Sequence, residues 1–272
     1  QPPAVFVKGQ IVDAAEVFTV FKLDDILTAQ FTQRHGSTPF SAILCSKKGI
    51  VSLPDCVYNK DEKQSRPLPE VFMYKNIIFD FGGIIVDLDK QAAVHAFEAL
   101  GFEAHAYIND YVQDGVFALM ETGEMSPDEF CTYVRKKVGA DVKDEEIFRA
   151  WNKMLVGIPA CRMQTIRNLR TDYRTYMLSN TNAMHWAYSC RELMASTGLE
   201  MGDCFDRIFL SFQMHLAKPD ERIFRKVLSE AGLKPEETLF VDDSSENCRM
   251  AESLGIQVFH SRQPEDWFSL LE

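Results

Sequence analysis

Positive charge is scarce in this chain. Lysine and arginine number 29 against 40 aspartates and glutamates, a net charge of -11 with an isoelectric point near 5.1. Nucleic acids and anionic membranes recruit proteins through basic patches, so neither is an expected partner. A pocket for an anion must therefore collect its cations locally. Cysteine pairing is also missing. The seven cysteines, Cys45, Cys56, Cys131, Cys161, Cys190, Cys204 and Cys248, are odd in number and never spaced CxxC. That pattern supports neither a zinc site nor a disulfide framework and fits a reducing cytoplasm. No apolar run approaches the ~20 residues that span a bilayer. The opening QPPAVFVKGQ lacks the basic-then-apolar order of a signal peptide, and a chain that opens on Gln1 suits a fragment or a processed product. What remains is ordinary: 272 residues, 46% hydrophobic and 25% charged, enough for one large domain or two modest ones with real cores.

Residues 61–70, DEKQSRPLPE, combine charge with proline as linkers do and divide two unlike stretches. Upstream, VFTVF, SAILC and GIVSL read as short strands around the turn-prone HGSTP and SKKG, and no motif assigns residues 1–72 a role. They are treated as an N-terminal extension, and a start at Met73 would leave the second stretch complete. From residue 73 to 272, apolar runs alternate with helical patterns: NIIFDF, YRTYMLSN, DRIFLS, ETLFVDD and IQVFHS. Such alternation predicts an α/β fold with a parallel sheet and right-handed crossovers. Between the first and second runs lies a helical insertion at about residues 88–159, leaving a core of 73–87 and 160–272. Within it, Ser126, Pro127, Asp128 and Glu129 supply a cap, a first-turn proline and an acidic first turn. The insertion reads as a lid, and the phenylalanine-rich stripes read as core.

In an open parallel sheet, ligands bind beyond the carboxyl ends of the strands, so the polar residues that close each apolar run are informative. Asp80 closes IIFD, and Gly82 and Gly83 after it let backbone amides approach a ligand. Asp80 can then act as a nucleophile or as a metal ligand. Ser179 in MLSNTN offers a hydroxyl and neighbouring amides to a phosphate oxygen, with Asn180 turned towards a substrate. Lys218 in AKPDERIF is expected at a strand end, with Pro219 starting a helix. Asp242 and Asp243 in LFVDDSSEN would repel each other unless a proton or a hard cation such as magnesium lies between them. Each feature alone has a plain reading: an acid after a strand often caps a turn, and Ser244 and Asn247 suit the start of a helix near Ser245. All four together, in this order at strand ends, are specific.

These motifs resemble the haloacid dehalogenase superfamily of phosphatases. FDFGGIIVDLD, LSNTN, KPDERIF and FVDDSSEN look most like the branch of the sugar-1-phosphate phosphatases and the phosphatase domain of soluble epoxide hydrolases. The resemblance covers residues 73–272 and implies a Rossmann-like core with a helical cap inserted after the first motif. It implies Asp80 as a nucleophile that forms an aspartyl-phosphate, with Ser179 and Lys218 holding the phosphoryl group. The backbone of Gly82, with Asp80, Asp242 and Asp243, would hold magnesium. The substrate would be a small phosphorylated metabolite.

One position departs from the pattern. Most phosphatases of the superfamily place a second aspartate, the proton donor, two residues after the nucleophile, where this chain has Gly82. General acid–base catalysis is worth about 10² to 10⁴ in rate. An anomeric leaving oxygen needs less protonation, which favours a sugar 1-phosphate. Alternatively Asp87, Asp89 or a cap residue such as Glu121, Glu124 or His95 reaches the site, or turnover is lost and the protein only binds a phosphometabolite. The superfamily's carbon–halogen hydrolases also lack the second acid, but they use no magnesium and leave the Asp242–Asp243 pair without a purpose. His35, His105, His185, His215 and His260 show no ligand spacing, and His185 with Trp186 is read as helix packing rather than pocket lining.

Overall fold

Five apolar runs become five parallel strands. The computed structural model describes residues 74–108 and 115–271, with strand segments alone before residue 74. The strands are β1 (Asn76–Phe79), β2 (Arg174–Ser179), β3 (Arg207–Leu210), β4 (Thr238–Asp242) and β5 (Gln257–His260). They lie in the order β3-β2-β1-β4-β5, every neighbouring pair parallel. The near-continuous apolar character of β1, β2 and β4 fits their burial in the middle of the sheet, whereas the edge strand β5 is partly exposed. β1 lies between β2 and β4, so the chain leaves it in opposite directions and opens a crevice at the carboxyl ends. Phe79 pairs in register with Met177 on one side and Val241 on the other, which brings Asp80 and Asp242 level at the edge of that crevice.

The inserted segment is helical, as the periodicity predicts. It comprises α1 (Lys90–Ala99), α2 (Val116–Glu121), α3 (Pro127–Val138) and α4 (Asp144–Asn152). Ser126 and Glu129 form a reciprocal capping box at the start of α3, with Pro127 in the first turn, and Gly139 ends it at φ 69°. The cap has its own aromatic core, in which Phe117 packs its ring 5.6 Å from Phe97, 5.2 Å from Phe130 and 4.5 Å from Trp151. Burial of each such ring contributes roughly 1.5–3 kcal/mol. Where the chain leaves and re-enters the sheet domain, the two linkers pair: Asp87–Leu88 runs antiparallel to Leu155–Gly157, and Asp89 N–H donates to Met154 O at 2.8 Å. The cap therefore joins the core through a two-stranded ribbon.

The core's helices are α5 (Ala160–Leu169), α6 (Ala183–Tyr188), α7 (Glu221–Ala231) and α8 (Ser245–Ser253). Residues Tyr74–Phe268 make one compact unit. Upstream, VFTVF, SAILC and GIVSL fall on the strands Phe18–Leu23, Ile43–Ser46 and Gly49–Ser52, each in an antiparallel pair. The linker expected at 61–70 lies outside the described residues. One expectation is corrected. Lys218 does not close a strand: β3 ends at Leu210, and Lys218 belongs to the loop between a short helix, Ser211–Met214, and α7. Nor does Pro219 open α7, because Asp220 caps it by accepting from Arg222 N–H. No helix among the described residues is long and apolar enough to cross a membrane.

Candidate active site

Four charged side chains from three segments meet at the carboxyl edge of the sheet. Lys218 Nζ, fully buried, lies 2.7 Å from Asp80 Oδ1 and 2.7 Å from Asp242 Oδ2. Carboxylate oxygens of Asp80, Asp242 and Asp243 all lie within 4.8 Å of one another. Each residue is braced. The Phe81 N–H donates to Asp80 Oδ1 at 2.7 Å, and the turn after it closes through Ile85 and Val86 N–H groups on Phe81 O. Asp242 accepts from Ser244 N–H at 2.8 Å and from Asn247 Nδ2 at 3.0 and 3.1 Å. Ser244 caps α8, so of the two capping residues suggested by sequence one does so and the other holds Asp242. His260 Nε2 donates to Asp243 O at 3.0 Å, a structural task for a histidine assigned none from sequence.

The electrostatics are unbalanced. Burial raises the pKa of Asp80, Lys218 opposes it, and Asp242 and Asp243 push it further up. Burial works against the charge of Lys218, yet Asp242 and Asp80 outweigh it and raise its pKa, so it stays an ammonium. Asp243, open to solvent, is raised by partial desolvation and by Asp242. Three carboxylates against one ammonium leave two negative charges, the charge of one divalent cation. The donors are all hard oxygens, which suits magnesium. Gly83, at φ 73°, completes the fit: a Cβ there would stand 2.3 Å from Asp243 Oδ2, so a side chain would push that carboxylate aside.

Ser179, at the end of β2, is buried, and its hydroxyl makes only a long contact, 3.4 Å to Asn180 O. Asn180 has a task unlike the expected one. Its Nδ2 donates to Lys218 O at 2.9 Å and its Oδ1 accepts from Lys218 N–H at 2.8 Å, so the amide holds the lysine loop. Ser211, the first residue of the short helix, ties that helix to the segment after β2: its Oγ accepts from Thr181 N–H and donates to Thr181 O, both at 2.9 Å.

A sequence profile of haloacid dehalogenase-like hydrolases matches residues 74–255. The chain belongs to this family.

Among curated relatives, a D-ribitol-5-phosphate phosphatase of Bacteroides thetaiotaomicron is 37% identical over 72% of this chain and 95% of its own length. Among solved structures, a haloacid dehalogenase family enzyme of the same bacterium, crystallised as an alanine mutant with magnesium and inorganic phosphate, is 36% identical with a TM-score of 0.71. It covers 73% of this chain and 99% of the other. A predicted hydrolase of the family from Porphyromonas gingivalis is 32% identical over 72% of this chain and 95% of its own, with a TM-score of 0.67. The helical insertion is thus the cap of a haloacid dehalogenase-like hydrolase, and the parallel sheet is its Rossmann-like core.

One feature of this family member was not foreseen. Arg162, at the start of α5, is buried and bonds Ile85 O at 3.2 Å and Asp87 Oδ1 at 2.7 Å, fixing the first cap linker to the core. His185 stacks on Trp151 of the cap with ring centroids 4.4 Å apart, and its Nε2 donates to Trp151 O at 3.1 Å. The packing role expected for His185 is thus what the structure gives it, while Trp186 meets Phe81 edge to face at 5.9 Å.

Proposed function

We propose that this hydrolase cleaves a small phosphomonoester with magnesium, through an aspartyl-phosphate on Asp80. The observation that carries the reading is the single buried ammonium of Lys218 shared between Asp80 and Asp242, with Asp243 alongside. Asp80 Oδ2, the oxygen not bonded by Lys218, attacks phosphorus. Lys218 neutralises charge on the phosphoryl oxygens as it accumulates, and opposes the burial that raises the Asp80 pKa. Ser179 Oγ binds a remaining phosphoryl oxygen, whereas the N–H groups of Phe81, Gly83, Ile85 and Val86 are spent within the turn, which corrects the expected approach of the Gly83 amide to a ligand. Asp80, Asp242, Asp243 and the carbonyl of Gly82 would hold magnesium, which when bound supplies the missing positive charge. Splitting hydrolysis into formation and breakdown of an acyl phosphate lowers each barrier, and the cap excludes bulk water.

The substrate is a phosphorylated polyol or sugar. The curated relative is named for ribitol 5-phosphate, an ester of a primary alcohol, whereas the missing second aspartate favours a sugar 1-phosphate. Phosphate release from a panel holding both classes, with magnesium or with chelator, separates them. Magnesium-dependent release on one class names it. A folded protein that releases phosphate from no member is instead a phosphometabolite-binding protein.

A further inference from the structure

Gly82 leaves the proton donor of the reaction unassigned, and the space beside it is apolar: a Cβ at 82 would meet Leu88 Cδ1 at 3.0 Å. A methyl group stands where the usual carboxyl would extend. The other carboxyls near the first motif are engaged elsewhere. Asp87 pairs with Arg162 at 2.7 Å, and Asp89 caps α1 by accepting from Ala92 N–H at 2.9 Å. On the cap, His95 is exposed, and Glu124 is exposed and bonded by Thr122 Oγ1 at 2.9 Å.

Glu121 is different. It is the last residue of α2, and the turn after it is docked on the core: His215 Nδ1 donates to Thr122 O at 3.0 Å. Gly123, at φ 70°, lies so close to the core that a Cβ would stand 2.2 Å from Phe212 O. Phe212 lies in the short helix before the lysine loop and His215 opens that loop, so this docking sets the end of α2 beside the loop that carries Lys218. Glu121 is half-buried, and the charges of Lys90 and of the fully buried Lys218 both act on it. The charge of Lys90 acts on Asp243 as well. Burial, opposed by these two lysines, raises the Glu121 pKa to about 7, where proton transfer at neutral pH is most effective.

We infer that Glu121 is the catalytic acid and base of this hydrolase, delivered by the cap in place of the aspartate absent at Gly82. The inference rests on the phosphatase reading above. In the first step an oxygen of Asp80 bonds to phosphorus, the ester P–O bond breaks, and its electron pair takes the proton of the Glu121 carboxyl, releasing the alcohol. In the second step water gives a proton to the Glu121 carboxylate as its oxygen attacks phosphorus. The bond from phosphorus to Asp80 then breaks, restoring both carboxyl groups and releasing phosphate.

The test compares wild type, Glu121→Gln, Glu124→Gln and Asp80→Asn on ribitol 5-phosphate and on p-nitrophenyl phosphate, whose leaving group needs no proton. Glu121→Gln should lose about 10² to 10⁴ in rate on the alkyl ester. On the aryl ester it should give a burst of nitrophenolate close to the enzyme concentration and then a slow phase, because only breakdown of the phosphoenzyme still needs the base. Glu124→Gln should match wild type. Unchanged alkyl turnover in Glu121→Gln, or equal losses on both esters without a burst, overturns the inference while Asp80→Asn inactivity keeps the phosphatase reading. A folded wild type inactive on both esters and on every sugar 1-phosphate of the panel overturns both.

Discussion

Asn180 and Lys218 hold each other through two hydrogen bonds, side-chain amide to backbone carbonyl at 2.9 Å and backbone N–H to side-chain oxygen at 2.8 Å. The ammonium at the centre of the site is thus placed by the asparagine that follows β2. Asn180→Ala would leave both backbone groups of Lys218 without these partners and cost about 1–3 kcal/mol of stability. Turnover should fall at least tenfold while substrate KM changes less. Urea unfolding and steady-state phosphate release check the two halves separately, and wild-type turnover in a folded variant would remove Asn180 from the positioning of Lys218.

Gly83→Ala tests the link between backbone and metal site. The new methyl would crowd Asp243 Oδ2, which it would approach to 2.3 Å, and would strain a residue at φ 73°. The backbone term costs about 1–2 kcal/mol. Displacement of a carboxylate ligand should raise the magnesium concentration for half-maximal activity by roughly 10- to 100-fold, as changes around metal ligands commonly do. An unshifted magnesium titration would mean that Asp243 does not hold the ion.

His185 gives the cap–core contact a pH dependence. Burial lowers its pKa from 6.5 to about 4, against the hydrogen bond to Trp151. The unfolded chain therefore takes up the proton first. The stability tied to neutral His185 is complete above pH 6.5 and is lost as pH falls towards 4. The loss reaches about 3 kcal/mol at the lower limit. Urea unfolding of wild type and His185→Gln at pH 7 and near pH 4.5 should show their difference in stability shrinking with acid. A constant difference would place the titration elsewhere.

Arg162→Met keeps most of the side-chain volume but removes the bonds to Ile85 O and Asp87 Oδ1. Asp87 is partly open to water and can be resolvated, so the cost should be about 1–3 kcal/mol rather than that of a stranded buried charge. A lowered melting temperature is expected. No change would mean that the bonds of Arg162 do not anchor the cap.

The strands, the crevice and Asp80, Ser179, Asp242 and Asp243 were legible because a parallel sheet writes itself as apolar runs that end in polar residues. Ser126–Glu129 likewise carried its capping chemistry in four adjacent letters. Tasks set by tertiary contact were not legible. Lys218 enters from a loop rather than a strand end, because Asn180 brings that loop back to the sheet. Glu121 and Glu124 look equivalent in ETGE until the docking of Thr122 on His215 leaves Glu121 half-buried beside the lysine loop and Glu124 in solvent. Arg162 lies in an unremarkable helical stretch, and only the path of the cap linker past it reveals its role.

Covalent phosphorylation of Asp80 is the step on which the mechanism turns. Acid quench during turnover with magnesium, followed by mass spectrometry of the peptide spanning β1, should find one phosphoryl group on Asp80, absent with chelator and absent in Asp80→Asn. Turnover with the phosphoryl group on another residue, or undiminished turnover in Asp80→Asn, would contradict the mechanism.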